Sequence, residues 1–234
     1  MSAHTRHTDR EYEAELQALK DKLLLMAGHV EKMIHDAVQA ISTRNGELAR
    51  RTVLCDRAVN RLERSIDEDC LLILAKRHPM ASDLRFVTLA LKMVVDLERI
   101  GDLAVNVCER AIDLAPFPPL VPTTDLETLA GHVIAMVKDA MDAFVARDAE
   151  RAHHVIAQDD QVDEGYHQFF RSVLSLMRSG PDDAVERGIH LQSVAKFLER
   201  MADHATNVAE QVIFWVEGTD VRHAGKLESA PEPP

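Results

Sequence analysis

The chain has 234 residues, is 46% hydrophobic and carries a net charge of −12, with 39 Asp and Glu against 27 Lys and Arg. That length and apolar share support one large core or two small ones. The acidic balance argues against a nucleic-acid binder, which needs a basic face to displace counterions, and against adhesion to an anionic membrane surface.

The three cysteines, Cys55, Cys70 and Cys108, are odd in number and form no CxxC, as expected of reduced thiols rather than a disulfide framework. Met1 to Glu15 is polar, with no apolar signal segment, and no apolar run approaches a membrane span. A soluble, cytoplasmic protein is expected.

Periodicity and breakers predict an all-α chain of six helices. The first runs from about Asp9 to Arg44 and stops at Asn45-Gly46, which reads as a C-terminal cap. The second spans about Glu47 to Lys76, and the third about Pro79 to Leu114, with Pro79 placed to open it. Pro116, Pro118, Pro119 and Pro122 make 115–123 a linker. Three more helices follow, Thr124–Arg147, Asp148–Arg178 and Pro181–Glu217, the last opened by Pro181. Residues 218–234 form a polar, proline-bearing tail expected to be disordered. No Asn-Gly or Asp-Gly hairpin sits between alternating runs, so no strand competes.

The two halves, 9–114 and 124–217, read as a repeat. Arg44-Asn45-Gly46-Glu47-Leu48-Ala49 matches Arg147-Asp148-Ala149-Glu150-Arg151-Ala152, and Pro79 matches Pro181. Each half is then a unit of three long helices. Glu98, Asp102, Asn106 and Glu109 recur as Glu199, Asp203, Asn207 and Glu210, both fitting ExxxDxxxNxxE. At about 100° per residue these positions fall near 0°, 40°, 80° and 20°, one stripe on one helix face. Like charges four apart repel, so a bound cation is the obvious compensation.

A solvated acidic face is the ordinary reading of one such stripe. Its recurrence, and the apolar line of Val87 and Leu91 that the first stripe continues, favour a site. Asp56 and Asn60 on helix two, and Asp159 and Asp163 on helix five, offer opposing oxygen rows. Helices two and three, joined by a short turn, are expected to pack antiparallel and to face these rows across each other. Oxygen-only ligation suits Mg, Mn, Ca or iron better than a thiolate zinc site.

Two other readings compete. A carboxylate-bridged metalloenzyme would use Glu164-Gly165-Tyr166-His167, an ExxH without a partner in the other half. A metal-free scaffold would leave both stripes in solvent. No Gly-rich phosphate loop, GxSxG or nucleophile–base pair occurs, so no enzymatic activity is expected. Asp83 and Arg85, near the start of helix three, read by default as an N-terminal charge pair.

At Leu97-Glu98-Arg99-Ile100-Gly101-Asp102 the sequence resembles the PhoU family, accessory regulators of phosphate uptake. Lys76 to Arg85, Val59-Asn60-Arg61-Leu62-Glu63 with Ile66-Asp67, and Asp220-Val221-Arg222-His223 carry the resemblance further. It implies two tandem three-helix bundles related by a pseudo-twofold axis, often dimeric. It also implies metal sites (iron, manganese, magnesium or zinc) at Glu98/Asp102 and Glu199/Asp203. A cytoplasmic homodimer is implied, acting as an adaptor between the ATPase subunit of a phosphate ABC transporter and a sensor histidine kinase. That adaptor would hold the phosphate-starvation response off when phosphate is plentiful.

Two departures stand out. Met201-Ala202 replaces the family's usual Ile-Gly, and Asn60 stands where Asp163 carries a charge in the second half. The second cluster is accordingly expected to bind cations more tightly.

Overall fold

Long apolar stripes, uninterrupted by proline, give six helices in the computed structural model, which describes residues 3–119 and 124–221. They are α1 (Ala3–Thr43), α2 (Gly46–Arg77), α3 (Ala81–Leu114), α4 (Thr124–Ala146), α5 (Ala149–Ser179) and α6 (Ala184–Glu217). No strand occurs among the described residues. The expectations for 120–123 of the linker and 222–234 of the tail lie outside the described residues.

Helix packing repeats under the exchange of α1 with α4, α2 with α5 and α3 with α6. Within the first bundle α1, α2 and α3 pack mutually; within the second, α4, α5 and α6 do so. The bundles join through α3 against α6 and α1 against α4. These are two tandem three-helix bundles with α3 and α6 central and α2 and α5 outermost. Their central position explains the apolar girth of α3 and α6. On α3, Met93, Val94, Leu97, Ile100, Ala104 and Val107 are buried, and on α6, Val194, Leu198, Met201, Ala205 and Val212. Burying such side chains is worth roughly 25 cal/mol per Å² of apolar surface, so α3 and α6 anchor the core.

The two inter-helix turns are copies. Arg44 (φ 55°) and Arg147 (φ 53°) take the left-handed conformation directly after α1 and α4. The Asn45 N–H donates to the Ala40 carbonyl and the Asp148 N–H to the Ala143 carbonyl, both at 3.0 Å. This is the paired closure of a Schellman end, usually given to glycine. Asn45 is therefore not the cap of α1 alone. Its Oδ1 accepts from the Leu48 N–H at 3.0 Å, and Asp148 Oδ1 accepts from the Arg151 N–H at 3.0 Å. Each side chain opens the following helix as its N-cap. Gly46 is inside α2, where its missing side chain leaves 3.4 Å from its ideal Cβ position to the Ala115 Cβ.

Pro79 and Pro181 lie just ahead of α3 and α6 rather than in their first turns. The helix turn begins only after Met80 and Asp183, whose flanking residues close it through the Asp83 N–H to Met80 and Ala184 N–H to Pro181 bonds. At the far end of the first turn, α1 already starts at Ala3, ahead of the expected Asp9, and no glycine or proline intervenes there.

Candidate metal centre

Each outer helix lays an acidic row against a central helix. In the first bundle, Asp56 and Asn60 on α2 face Asp102 and Glu98 on α3. The Asn60 Nδ2 donates to Asp56 Oδ2 at 2.7 Å. Burial and then the Asp102 charge push the Asp56 carboxyl above its ordinary range. Glu98, whose side chain is 17% exposed, is raised by burial and then by Asp102 and Glu63.

Arg99 moderates the row from the solvent side, its Nε 3.7 Å from Glu98 Oε2 and its Nη1 3.6 Å from Asp102 Oδ2. Asn106 is half-buried one turn further along α3.

Two members of this row were absent from the sequence expectation. Glu63 is raised by burial, by Asp67 and by Asp102, so the α2 row runs Asp56, Asn60, Glu63, Asp67. Their spacing of four, three and four residues keeps all of them within about 60° of one another. That spacing was the available signal. In α5 the corresponding places are taken by Tyr166 and Phe170, whose rings lie 6.4 Å apart and tilted by 51°.

In the second bundle Asp159 and Asp163 on α5 face Glu199 and Asp203 on α6. Burial, followed by Asp203, Asp163 and Glu199, raises the Asp159 carboxyl to about 6. Asp203 is raised by burial and Glu199. Lys196 offsets this row: its Nζ is 2.6 Å from Glu199 Oε1 and 5.5 Å above the Tyr166 ring. The expected ranking of the two clusters therefore does not follow from Asn60 alone, since Glu63 and Asp67 add negative charge to the first row while Arg99 there and Lys196 in the second each offset it.

Asn207 departs from its stripe. Its Nδ2 donates to Asp96 Oδ1 of α3 at 3.1 Å, beside His204 Nδ1 at 2.9 Å, and Gln211 Nε2 donates to Asp96 Oδ2 at 2.9 Å. The reason is angular: roughly 80° from Glu199 around the helix, Asn207 meets the neighbouring central helix instead of α5. Asp96 is only 9% exposed, so these donors tie the two bundles together through one buried carboxylate.

Other expected features lie elsewhere. Glu164 is exposed on α5 and accepts from Gln168 Nε2 at 2.8 Å, and His167 is exposed beside it. The ExxH thus does not point into a bundle core, and the dinuclear enzyme reading loses its distinctive ligand pair. Asp83 and Arg85 do not pair either. Asp83 Oδ2 accepts from the Tyr12 hydroxyl at 3.0 Å, while Arg85 Nε donates to the Trp215 carbonyl at 3.2 Å.

A cation requires oxygen acceptors without competing donors. Asp56 Oδ1, Asn60 Oδ1 and Glu199 Oε2 are buried and have no hydrogen-bond partner. Buried acceptors left this way are costly, and hard cations satisfy them. The donor chemistry therefore fits. The side chains stand as facing rows rather than as a closed shell. Among the described residues no three or more His, Cys, Asp or Glu side chains are arranged to hold an ion. Gly101 lies between the rows, and a Cβ there would meet Val59 at 3.4 Å and Asp56 Oδ1 at 4.0 Å.

Duplicated three-helix units, acidic at the outer-to-central helix contacts, define a class of tandem helical-bundle proteins. Comparison with known proteins agrees. The family model described as the PhoU domain matches residues 23–111 and 126–212. The chain belongs to the PhoU family.

The phosphate-specific transport system accessory protein PhoU homolog of Pseudomonas aeruginosa is 40% identical over 222 residues, covering 94% of this chain and 91% of that one. The Escherichia coli phosphate-specific transport system accessory protein PhoU is 33% identical over 220 residues, covering 94% and 91%. The crystal structure of PhoU from Pseudomonas aeruginosa superposes with a TM-score of 0.85 at 40% identity, covering 89% of this chain and 100% of that one. That of the phosphate transport system regulatory protein PhoU from Streptococcus pneumoniae gives 0.82 at 25% identity, covering 90% and 99%.

Proposed function

We propose that this chain is a non-catalytic, metal-binding regulator of phosphate uptake and of the phosphate-starvation response. In this reading it works in the cytoplasm as a homodimer. It connects the ATPase subunit of a phosphate ABC transporter with a sensor histidine kinase and keeps the response off when phosphate is plentiful. Family membership supports the regulatory half, because curated relatives are named accessory proteins of phosphate-specific transport. No described helix is long and apolar enough to cross a membrane, which fits a partner of a transporter rather than a part of its channel.

The observation that carries the metal half is the set of buried, donor-less oxygens on Asp56, Asn60 and Glu199 inside mutually repelling rows. Glu98, Asp102, Asn106, Asp56 and Asn60 would hold ions in the first bundle. Glu199, Asp203, Asp159 and Asp163 would do so in the second, with Asn207 contributing only if it leaves Asp96. The ion, whether iron, manganese, magnesium or zinc, supplies positive charge that offsets carboxylate repulsion. The side chains do the rest: they fix α2 against α3 and α5 against α6, and so set the shape of the outer surfaces that partners meet.

The test is complementation of a strain lacking the gene, with phosphatase expression read in high phosphate. Deletion is expected to raise expression and the wild-type gene to restore it. A soluble variant carrying Glu98→Gln, Asp102→Asn, Glu199→Gln and Asp203→Asn is expected not to restore it. Unchanged expression on deletion would overturn the regulatory reading. Full restoration by the variant would overturn the metal requirement.

A further inference from the structure

The two Schellman turns present equivalent arginines to different surroundings. Arg147 lies over the Trp215 ring at 4.6 Å, and Arg85, next to it, donates to the Trp215 carbonyl. Both guanidinium groups at that end have partners. At the opposite end Arg44 stands where Arg147 does, but Leu114 takes the place of Trp215 and Arg187 takes the place of Phe86.

The consequence is a pair of cations short of acceptors. Arg187 is 4% exposed. Its Nη1 donates to both Asp183 oxygens, at 2.9 and 3.0 Å, and its Nη2 donates to the Pro118 carbonyl at 2.6 Å. The group also lies 5.7 Å from the Phe117 ring centre. Its Nε remains buried without a partner, as do Nε and Nη1 of Arg44. Burial and the neighbouring Arg187 charge pull the Arg44 guanidinium below its ordinary range.

Asp183 is the one carboxylate bonded to this pair among the described residues, and it serves Arg187. It makes no side-chain cap bond to the first turn of α6. Buried guanidinium N–H groups without acceptors are costly, and two such groups side by side are more so. Planar guanidinium forks match the oxygens of phosphate and similar oxyanions.

We propose that Arg44 and Arg187 form a binding site for a small oxyanion of the phosphate class, at the end of the molecule where the α1–α2 turn meets residues 115–118 and the start of α6. The site uses none of the residues of the acidic rows and does not depend on a metal there. An oxyanion at this position satisfies the free N–H groups and joins the first bundle to the opening turn of the second. The Arg147 end, already closed by Trp215, has no such requirement.

The test is equilibrium dialysis of radiolabelled inorganic phosphate against the full chain. EDTA is present, so that no ion in the acidic rows contacts phosphate, and chloride holds ionic strength constant. Melting temperature is followed in parallel. The wild type is expected to bind one phosphate per chain saturably, with a saturable rise in melting temperature. Arg44→Gln is expected to weaken binding at least tenfold, and Arg147→Gln to leave it unchanged. Arg44→Lys, which keeps the charge and the fold but loses the fork, is expected to fall between.

Absence of saturable binding to the wild type overturns the site, as does a purely linear rise in melting temperature of the kind excluded salts give. Equal binding by wild type and Arg44→Gln overturns it also.

Discussion

Asp159 of α5 and Asp203 of α6 repel each other across the outer-to-central helix contact, and together with burial this holds the Asp159 carboxyl at about 6. Its value is raised above that of the unfolded chain, so the folded state takes up the proton first. Ion-free stability therefore falls as pH rises from about 4 to about 6, and the penalty is fully present above that window. Asp159→Asn removes it. In EDTA at pH 7.5 the variant is expected to be more stable by on the order of 1 kcal/mol, after allowing for solvent screening of a half-buried group. Its advantage should vanish near pH 4. Urea midpoints at the two pH values measure this; an equal difference at both would rule out the repulsion.

The proposed cations in the rows would link metal binding to folding. Chelation is expected to lower the melting temperature of the wild type and to leave that of the combined Glu98→Gln, Asp102→Asn, Glu199→Gln, Asp203→Asn variant unmoved. Metal content by elemental mass spectrometry should fall in step. A wild-type melting temperature indifferent to chelator and to added iron, manganese or magnesium would leave the stripes merely solvated.

Gly101 has room for a methyl group, since its ideal Cβ meets only Val59 at 3.4 Å and more distant atoms. The second bundle already has Ala202 at the matching place, fully buried. Gly101→Ala is expected to stabilise the ion-free protein by up to about 1 kcal/mol through helix propensity. A loss of stability in thermal or urea unfolding would show that the close approach of α2 needs glycine.

The Asp96 carboxylate holds donors from His204, Asn207 and Gln211. Asp96→Ala strands them at the bundle joint and is expected to cost about 2–4 kcal/mol. Asp96→Asn, which retains one acceptor, should cost less. Urea unfolding of both variants decides it, and a negligible loss in Asp96→Ala would mean that the joint is held by apolar packing alone.

Six helices and their duplication were legible because proline and glycine break the chain at most of its turns, because Arg147-Asp148 repeats Arg44-Asn45, and because Glu98/Asp102 recurs at Glu199/Asp203. Periodicity fixes which residues share a face but not which neighbour that face meets. Asn207 shows the difference: it is on the stripe by spacing, yet it turns to Asp96 across the bundle joint. Glu63 and Asp67 were hidden for the opposite reason. Spacing puts them on one face with Asp56, but only packing shows that Asp102 of α3 meets that face at Glu63. The cap at Asn45-Gly46 was read for the helix it follows, whereas the side-chain oxygen serves the helix it precedes, a choice that the Leu48 N–H bond alone decides.

The exchange-symmetric packing places α2 and α5 outside, each touching only the helices of its own bundle. Either can peel away without disturbing the α3–α6 joint or the other bundle. Under the proposed metal reading each acidic row is then a separate latch on a separate helix, and opening one does not require opening the other. In native-state hydrogen exchange α2 and α5 are expected to be the first helices to lose protection, each independently of the other.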